Sequence, residues 1–372
     1  MNSAQMDRLY FLGIGGIGMS ALARYFNHKG YEVFGYDKTR TALTDTLSNE
    51  GIKIIYKDDP ELIPWPITRI IYTPAIPDDL HLKKCFLSKG FNLEKRAKVL
   101  GEIANDNFNI SVAGTHGKTS VSSMIAHLLH NGGKACHAFI GGICKNYNSN
   151  WLQGKEDIAV VEADEYDASF LNLNPDIAVI TAIDSDHLDI YGEHNKLHKA
   201  FEAFTSKINN GGLLFLKEGL RIKNAEGCIS YSYNKGDCFA QNISFKLDHS
   251  HIPCFHFDLI VKGEIIEGVS LHMPGNHNIE NAVVASAVAH EMGLDPNAIK
   301  KGLSSFKGIK RRFEYHSYLK PVFIDDYAHH PEEIRVTIEA LRTLYPDKKL
   351  TGIFQPHLYS RTKDFYEDFA KH

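Results

Sequence analysis

Twice in this chain a short apolar strand runs into a glycine-bearing turn and out into a helix, and this pattern constrains the fold more than any other feature. The first copy reads R-L-Y-F-L, then Gly13-Ile-Gly15-Gly16-Ile-Gly18, then an apolar-periodic stretch from Met19 to His28, followed by Y-E-V-F-G-Y and Asp37. Such glycines allow a tight turn and close backbone approach to a pyrophosphate at the helix N-terminus, and an acid about twenty residues on can take a ribose hydroxyl. The bland alternative, a turn that only packs strand on helix, is disfavoured by that context. The second copy is N-I-S-V-A, then Gly114-Thr115-His116-Gly117-Lys118-Thr119, then a helix from about Ser120 to Asn131. Val112 stands where the strict phosphate-loop spelling has its first glycine. The working parts are nonetheless present: a backbone loop to cradle phosphates, a lysine to reach the β/γ oxygens and a hydroxyl for Mg²⁺. ATP or a close analogue is expected there.

Both units belong to an α/β chain with parallel sheets. A dinucleotide-type domain is expected over 1–105, and a central ATP-binding domain over 106–309. Within the latter, residues 157–163 and 176–183 are near-continuous apolar runs of the kind that parallel sheets bury on both faces. After Gly211 the segments 238–245, 255–261 and 265–272 alternate, which predicts a small antiparallel part, and a helix over 278–292 closes the domain. From Arg311 a third unit, 310–372, reads as strand 322–324, helix 331–344, strand 350–354 and a helix from Tyr359 to the end. About 60 residues are few for an independent core, so this partial α/β domain is expected to be cut short.

Lys plus Arg is 41 and Asp plus Glu 45, for a net charge of −4, with no Lys/Arg block. A chain so balanced offers no electrostatic footprint for duplex nucleic acid or an anionic membrane, so small ligands are expected. Met1 to Arg8 is polar, without the apolar region of a signal peptide, and no apolar run reaches the roughly 18 residues that span a bilayer. Six cysteines (Cys85, Cys136, Cys144, Cys228, Cys238, Cys254) without a C-x-x-C pair read as reduced thiols. A cytoplasmic protein is expected; its oligomeric state is not encoded in these features.

Further candidates follow the strands of the central domain. Glu162-Ala-Asp-Glu165-Tyr-Asp167 ends a buried strand, where an open α/β sheet places its ligands, and Glu162 there is a candidate ligand for the hard Mg²⁺ ion. Asp184-Ser-Asp186-His187-Leu-Asp189 follows the next strand, which makes His187 a metal ligand or proton carrier. In Gly275-Asn-His277-Asn278-Ile-Glu-Asn281, Asn278 taken alone is better read as a helix N-cap. Arg311-Arg312-Phe-Glu314 supplies forked cations for phosphate, whereas Asp325-Asp326 before Tyr327-Ala-His329-His330-Pro331 either binds ribose hydroxyls or caps a helix. Gln355-Pro-His357-Leu358-Tyr-Ser-Arg361 follows the last expected strand.

One chain with a pyrophosphate loop and an ATP loop binds two phosphorylated ligands, most economically an energy source and a substrate. The motifs F-L-G-I-G-G-I-G-M-S, A-G-T-H-G-K-T, E-A-D-E-Y-D-A-S-F, D-H-L-D-I-Y-G, H-N-I-E-N, R-R-F-E, D-D-Y-A-H-H-P and F-Q-P-H-L-Y-S-R-T occur in that order over nearly the whole chain. In this the sequence resembles the Mur ligase family of peptidoglycan synthesis, and most the branch that joins L-alanine to UDP-N-acetylmuramate. The resemblance implies a Rossmann-like N-terminal domain for the UDP-sugar, a central ATPase domain and a Rossmann-like C-terminal domain that closes over the site.

Carried onto this sequence, the resemblance implies that Gly15, Gly16 and Ser20 meet the UDP diphosphate and Asp37 the uridine end. Gly114, Thr115, His116, Gly117 and Lys118 would hold ATP, with Thr119 and Glu162 on one Mg²⁺ and His187 on a second. Asn278 and Asn281 would lie by adenine, Arg312 by phosphate and Asp326 by ribose, and Tyr327, His329, His357 and Arg361 by the amino acid. Lys118, His187 and Arg312 would carry the catalysis. Where relatives often have arginine after the histidine of F-Q-P-H, this chain has Leu358. Relatives also continue beyond His372, so weak or absent ligase activity with UDP-sugar binding retained is expected. Two competing readings are a ligase that attaches a whole tripeptide to UDP-N-acetylmuramate and a nicotinamide-dependent oxidoreductase built on Gly13 to Asp37; the latter leaves Lys118 and Thr119 unexplained. A non-catalytic sugar-nucleotide sensor is a third.

Overall fold

The structure, a computed structural model, describes residues 7–155, 157–183, 194–223, 225–247, 253–317, 321–357 and 359–371. Strands β1 (Arg8–Leu12), β2 (Glu32–Tyr36), β3 (Lys53–Ile55), β4 (Arg69–Tyr72) and β5 (Leu93–Lys95) form a parallel sheet in the order β3-β2-β1-β4-β5. The order reverses at β1, whose neighbours are β2 and β4. At such a switch point the connections leave in opposite directions and open a crevice beyond the carboxyl ends of the strands. The Gly13–Gly18 turn sits there, between β1 and helix α1 (Ile17–His28). Helices α2 (Ala42–Asn49), α3 (His81–Ser88) and α4 (Arg96–Asn105) complete the unit.

The central sheet repeats this logic on a larger scale. It contains β6 (Phe108–Ala113), β7 (His137–Cys144), β8 (Ser149–Leu152), β9 (Ile158–Ala163), β10 (Ile177–Ile180), β11 (Leu213–Lys217), β12 (Ile229–Tyr231), β13 (Cys238–Leu247), β14 (Pro253–Val261) and β15 (Glu264–Leu271). Their order is β15-β14-β13-β12-β11-β10-β6-β9-β7-β8, with β6 parallel to both β10 and β9, so the second glycine loop also leaves from a switch point. All four residues of β10 are buried, as its unbroken apolar run predicts, whereas β13, β14 and β15 pair antiparallel, as their alternation predicts. Helix α5 (Lys118–Asn131) and the helix Asn276–Glu291 cover the sheet and share with it a core that includes Ile110, Val121, Ile125, Val179, Ile279 and Val283.

The first two units are locked together through α1. Tyr25 lies 5.5 Å from the ring of His137 and 5.6 Å from that of Phe139. Buried Arg24 grips Glu50 with Nε at 2.8 Å and Nη2 at 2.9 Å, and it also donates to Asn150 of β8. Asn150 in turn donates to the Ser20 hydroxyl at 2.9 Å. Ser20, expected to meet a diphosphate, is fully enclosed in this seam, where its hydroxyl fastens α1 to the central domain.

In the third unit β16 (Glu314–Ser317) and β17 (Phe323–Asp325) form a two-stranded antiparallel sheet, followed by the helix Pro331–Leu344. The expected strand over 350–354 is not formed. An extended segment becomes a strand only when a neighbour satisfies its backbone groups; here the segment lies in the open, with Ile353 96% exposed. The expected terminal helix is two short ones, Tyr359–Asp364 and Tyr366–Lys371. All six cysteines are free thiols. Among the described residues no helix is long and apolar enough to cross a membrane.

Candidate active site

The second glycine loop owes its shape to positions where a side chain does not fit. Gly114 has φ +139°, and a Cβ there would lie 2.2 Å from Thr181 Oγ1 and 2.8 Å from Ala182 N. Thr181, just beyond β10, donates to the His116 carbonyl, and Thr115 N donates to the Ala182 carbonyl at 3.1 Å, so the neighbouring strand moulds the loop. Gly117 caps α5 in the left-handed region without a side-chain cap, which leaves the first N–H groups of the helix facing the loop, the arrangement that favours phosphate.

Lys118 folds back over this loop. Its ammonium donates to the Gly114 carbonyl at 2.6 Å and to Glu165 Oε1 at 2.9 Å, with Oε2 at 2.8 Å. Burial alone would depress its pKa; the carboxylates of Glu165, Asp164 and Glu162 overcome that and push it up to about 12. Glu162, at the end of β9, accepts from the Thr119 hydroxyl at 3.1 Å and from Gly141 N at 2.9 Å, and burial pushes its carboxyl above the usual range. Gly141 is close-packed here, since a Cβ would lie 2.3 Å from Glu162 Oε2.

Two cavities flank the loop. One, of about 170 Å³, is lined by His116, Gly117, Asn278, Asn281, Arg312 and Asp326 among others, so it gathers six of the residues expected on the nucleotide. The helix beside it starts at Asn276 with Gly275 as cap, which corrects the reading of Asn278 as N-cap: its amide donates to the Pro274 carbonyl at 2.6 Å. Asp326 accepts from Phe313 N at 2.8 Å and Ala328 N at 2.7 Å, and burial pushes its carboxyl up to about 6 despite those bonds. The other cavity, of about 120 Å³, covers Thr115 to Ser120 together with Glu162, Arg312, His329 and Glu333.

Glu333 was not singled out in the sequence. It lies within 3.5 Å of His116 and of Arg312 and 3.4 Å of His329, and a hydrogen bond from His116 together with the neighbouring His329 and Arg312 holds its carboxyl far below the usual range against the effect of burial. The available signal was its place three residues after His330, where it completes a capping box. On the same side the rings of Tyr327, His329 and His357 cluster at 5.0 to 6.1 Å, with the Arg311 guanidinium over Tyr327 at 5.0 Å and Arg361 buried nearby.

At the first loop Asp37 accepts from Gly15 N at 2.7 Å and from Thr39 N at 3.1 Å. One oxygen of this carboxylate thus braces the glycine turn, and the other the segment just after β2. A cavity of about 280 Å³ opens beside Gly16 and Gly18 and reaches Arg96, Gly141, Glu162 and Asp164. Arg96, also missed in the sequence, lies against Gly18 and 3.5 Å from Asp164. Glu162 lines both this cavity and the one over Lys118, so the two cradles meet at one carboxylate. His187 and Leu358 lie outside the described residues.

Family models described as Mur ligase family, catalytic domain, as Mur ligase middle domain and as Mur ligase, glutamate ligase domain match residues 8–108, 112–289 and 311–372. The UDP-N-acetylmuramate–L-alanine ligase of Flavobacterium psychrophilum is 46% identical over 378 residues, covering 100% of this chain and 82% of that one. The chain belongs to the Mur ligase family. The protein of the same name from Christiangramia forsetii is 45% identical over 98% of this chain and 80% of its own. Among solved Mur ligases, UDP-N-acetylmuramate-alanine ligase MurC from Thermotoga maritima superposes with a TM-score of 0.83 at 28% identity, covering 98% of this chain and 82% of that one. The murein peptide ligase Mpl of Psychrobacter arcticus reaches a TM-score of 0.74 at 25% identity, over 95% of this chain and 79% of that one.

Proposed function

We propose that this chain joins L-alanine to the lactyl carboxylate of UDP-N-acetylmuramate, consuming ATP, in the synthesis of peptidoglycan precursors. The observation that carries this reading is the meeting of two cavities at Glu162, one beside Gly16 and Gly18 and one over Thr115 to Ser120; a sugar nucleotide in the first and a triphosphate in the second would present their reacting ends to one another. In this family's chemistry the lactyl carboxylate attacks the γ-phosphorus to give an acyl phosphate and ADP. The alanine amine then attacks that carbonyl and phosphate leaves.

Here Lys118 and Arg312 supply positive charge where it develops on the transferring phosphoryl group, and the loop N–H groups position it. Asn278, Asn281 and Asp326 hold the adenosine end, whereas Tyr327, His329, His357 and Arg361 form the amino-acid side. Magnesium fits Thr119 and Glu162, a hydroxyl and a buried carboxylate that offer the hard oxygen ligands it prefers; when bound it would neutralise phosphate charge. A cytoplasmic setting agrees with such substrates.

The oxidoreductase reading falls with the family, and relatives at 45–46% identity are L-alanine ligases, against 25% for a murein peptide ligase of known structure. Phosphate release is the test: with ATP, Mg²⁺ and UDP-N-acetylmuramate it is expected to depend on L-alanine. Dependence on a tripeptide instead, or on neither acceptor, contradicts the reading.

A further inference from the structure

Glu165 is completely buried and lines neither cavity at the loop, yet both of its oxygens lie within 2.9 Å of the Lys118 ammonium. With the Gly114 carbonyl at 2.6 Å as well, the lysine is turned back onto its own loop. Its neighbour Glu162 is committed elsewhere, to Thr119 and Gly141. Glu165 is held by its surroundings: it precedes a short 3₁₀ turn (Tyr166–Asn172), and its carbonyl accepts from Ala168 N at 3.0 Å. A carboxylate so placed does two things at once. It keeps the lysine charged in a buried setting, and it occupies donors that a triphosphate needs.

We infer that Glu165 is a positioning residue that acts as a resident counter-charge, holding Lys118 against its own loop and surrendering it only to a ligand carrying enough phosphate charge to compete. The inference rests on the reading of Gly114 to Thr119 as a nucleotide loop. Because the phosphate must displace part of an existing ion pair, intrinsic affinity is spent on the exchange. Weakly charged phosphates that reach the loop are thereby disfavoured relative to a triphosphate. A residue needed only for folding would have the opposite signature, since its loss would loosen the loop and weaken every nucleotide.

The test is direct binding of ADP and of metal-free ATP by calorimetry to wild type, Glu165→Gln and Glu165→Asp. Glu165→Gln is expected to tighten ADP by about tenfold or more, the low end of coupling seen for close charge pairs. The tightening is expected to be larger for ADP than for ATP, and to vanish when Lys118→Met is added. Glu165→Asp, which keeps the charge but shortens its reach, gives the same sign with a smaller change and serves if the glutamine variant does not fold. Unchanged or weaker ADP binding in the folded variants overturns the inference. Failure of wild type to bind either nucleotide instead overturns the reading of the loop itself.

Discussion

Removing the ammonium of Lys118 tests the energetics of the loop without any substrate. The rise of its pKa from 10.5 to about 12 corresponds to about 2 kcal/mol of native-state stabilisation of the charged form. A raised lysine contributes that stability fully below pH 10.5 and loses it as pH climbs through 12. In Lys118→Met the whole of it is lost at neutral pH. From the partner's side the same loss leaves Glu165, at zero exposure, either to keep its charge without the cation or to take up a proton, and truncating one partner of a buried pair costs about 3–5 kcal/mol in other proteins, a figure that already includes the lost attraction. A loss of about 3 kcal/mol is therefore expected in urea unfolding at pH 8, since proton uptake limits the penalty. Because that uptake is easier in acid, the loss is expected to shrink as pH falls toward 4.5. The double variant Lys118→Met/Glu165→Gln removes both charges and is expected to return to within about 1 kcal/mol of wild type, as neutral replacements of buried pairs do. Additive losses in the double variant, or a single variant as stable as wild type, would refute the account of this pair.

Gly114→Ala places a Cβ 2.2 Å from Thr181 Oγ1 in a loop that β10 cannot yield; ATP affinity is expected to fall by about 100-fold or more, as for misplacement near 1 Å, with UDP-N-acetylmuramate affinity unchanged. Equal loss of both ligands in calorimetry contradicts the assignment of separate cradles. Burial raises the Asp326 carboxyl from 3.8 to about 6, which corresponds to about 3 kcal/mol; a raised carboxyl favours the fold below pH 3.8, and that contribution is lost as pH climbs through about 6. Carbon-13 NMR of the Asp326 carboxyl is expected to give a midpoint near 6, and a midpoint at or below the ordinary 3.8 contradicts the burial argument.

Features that depend on local chemistry could be read from the sequence. Both glycine turns stand where strand, turn and helix spell them, and the buried run of β10 and the alternation of β13 to β15 report how many faces each strand covers. What escaped depends on tertiary partners. A strand was expected over 350–354, but pairing is a property of a neighbour and not of the segment. Ser20 sits one turn into α1, next to the phosphate-binding turn in sequence, yet Asn150 from 130 residues away claims its hydroxyl. Glu165 lay in plain view in an acidic motif, but only the fold shows that it faces Lys118 while Glu162 faces Thr119. Glu333 and Arg96 acquire their importance from the cavities between domains, which have no sequence signature.

The central claim is that the two cradles present their ligands to each other across Glu162. A crystal structure with UDP-N-acetylmuramate and a non-hydrolysable ATP analogue tests it most directly. It should show the sugar's diphosphate at Gly15 and Gly16, the triphosphate at Gly114 to Thr119, and the lactyl carboxylate pointing at the γ-phosphate beside Glu162. Ligands bound on unconnected surfaces, or a triphosphate seated away from Lys118, contradict it.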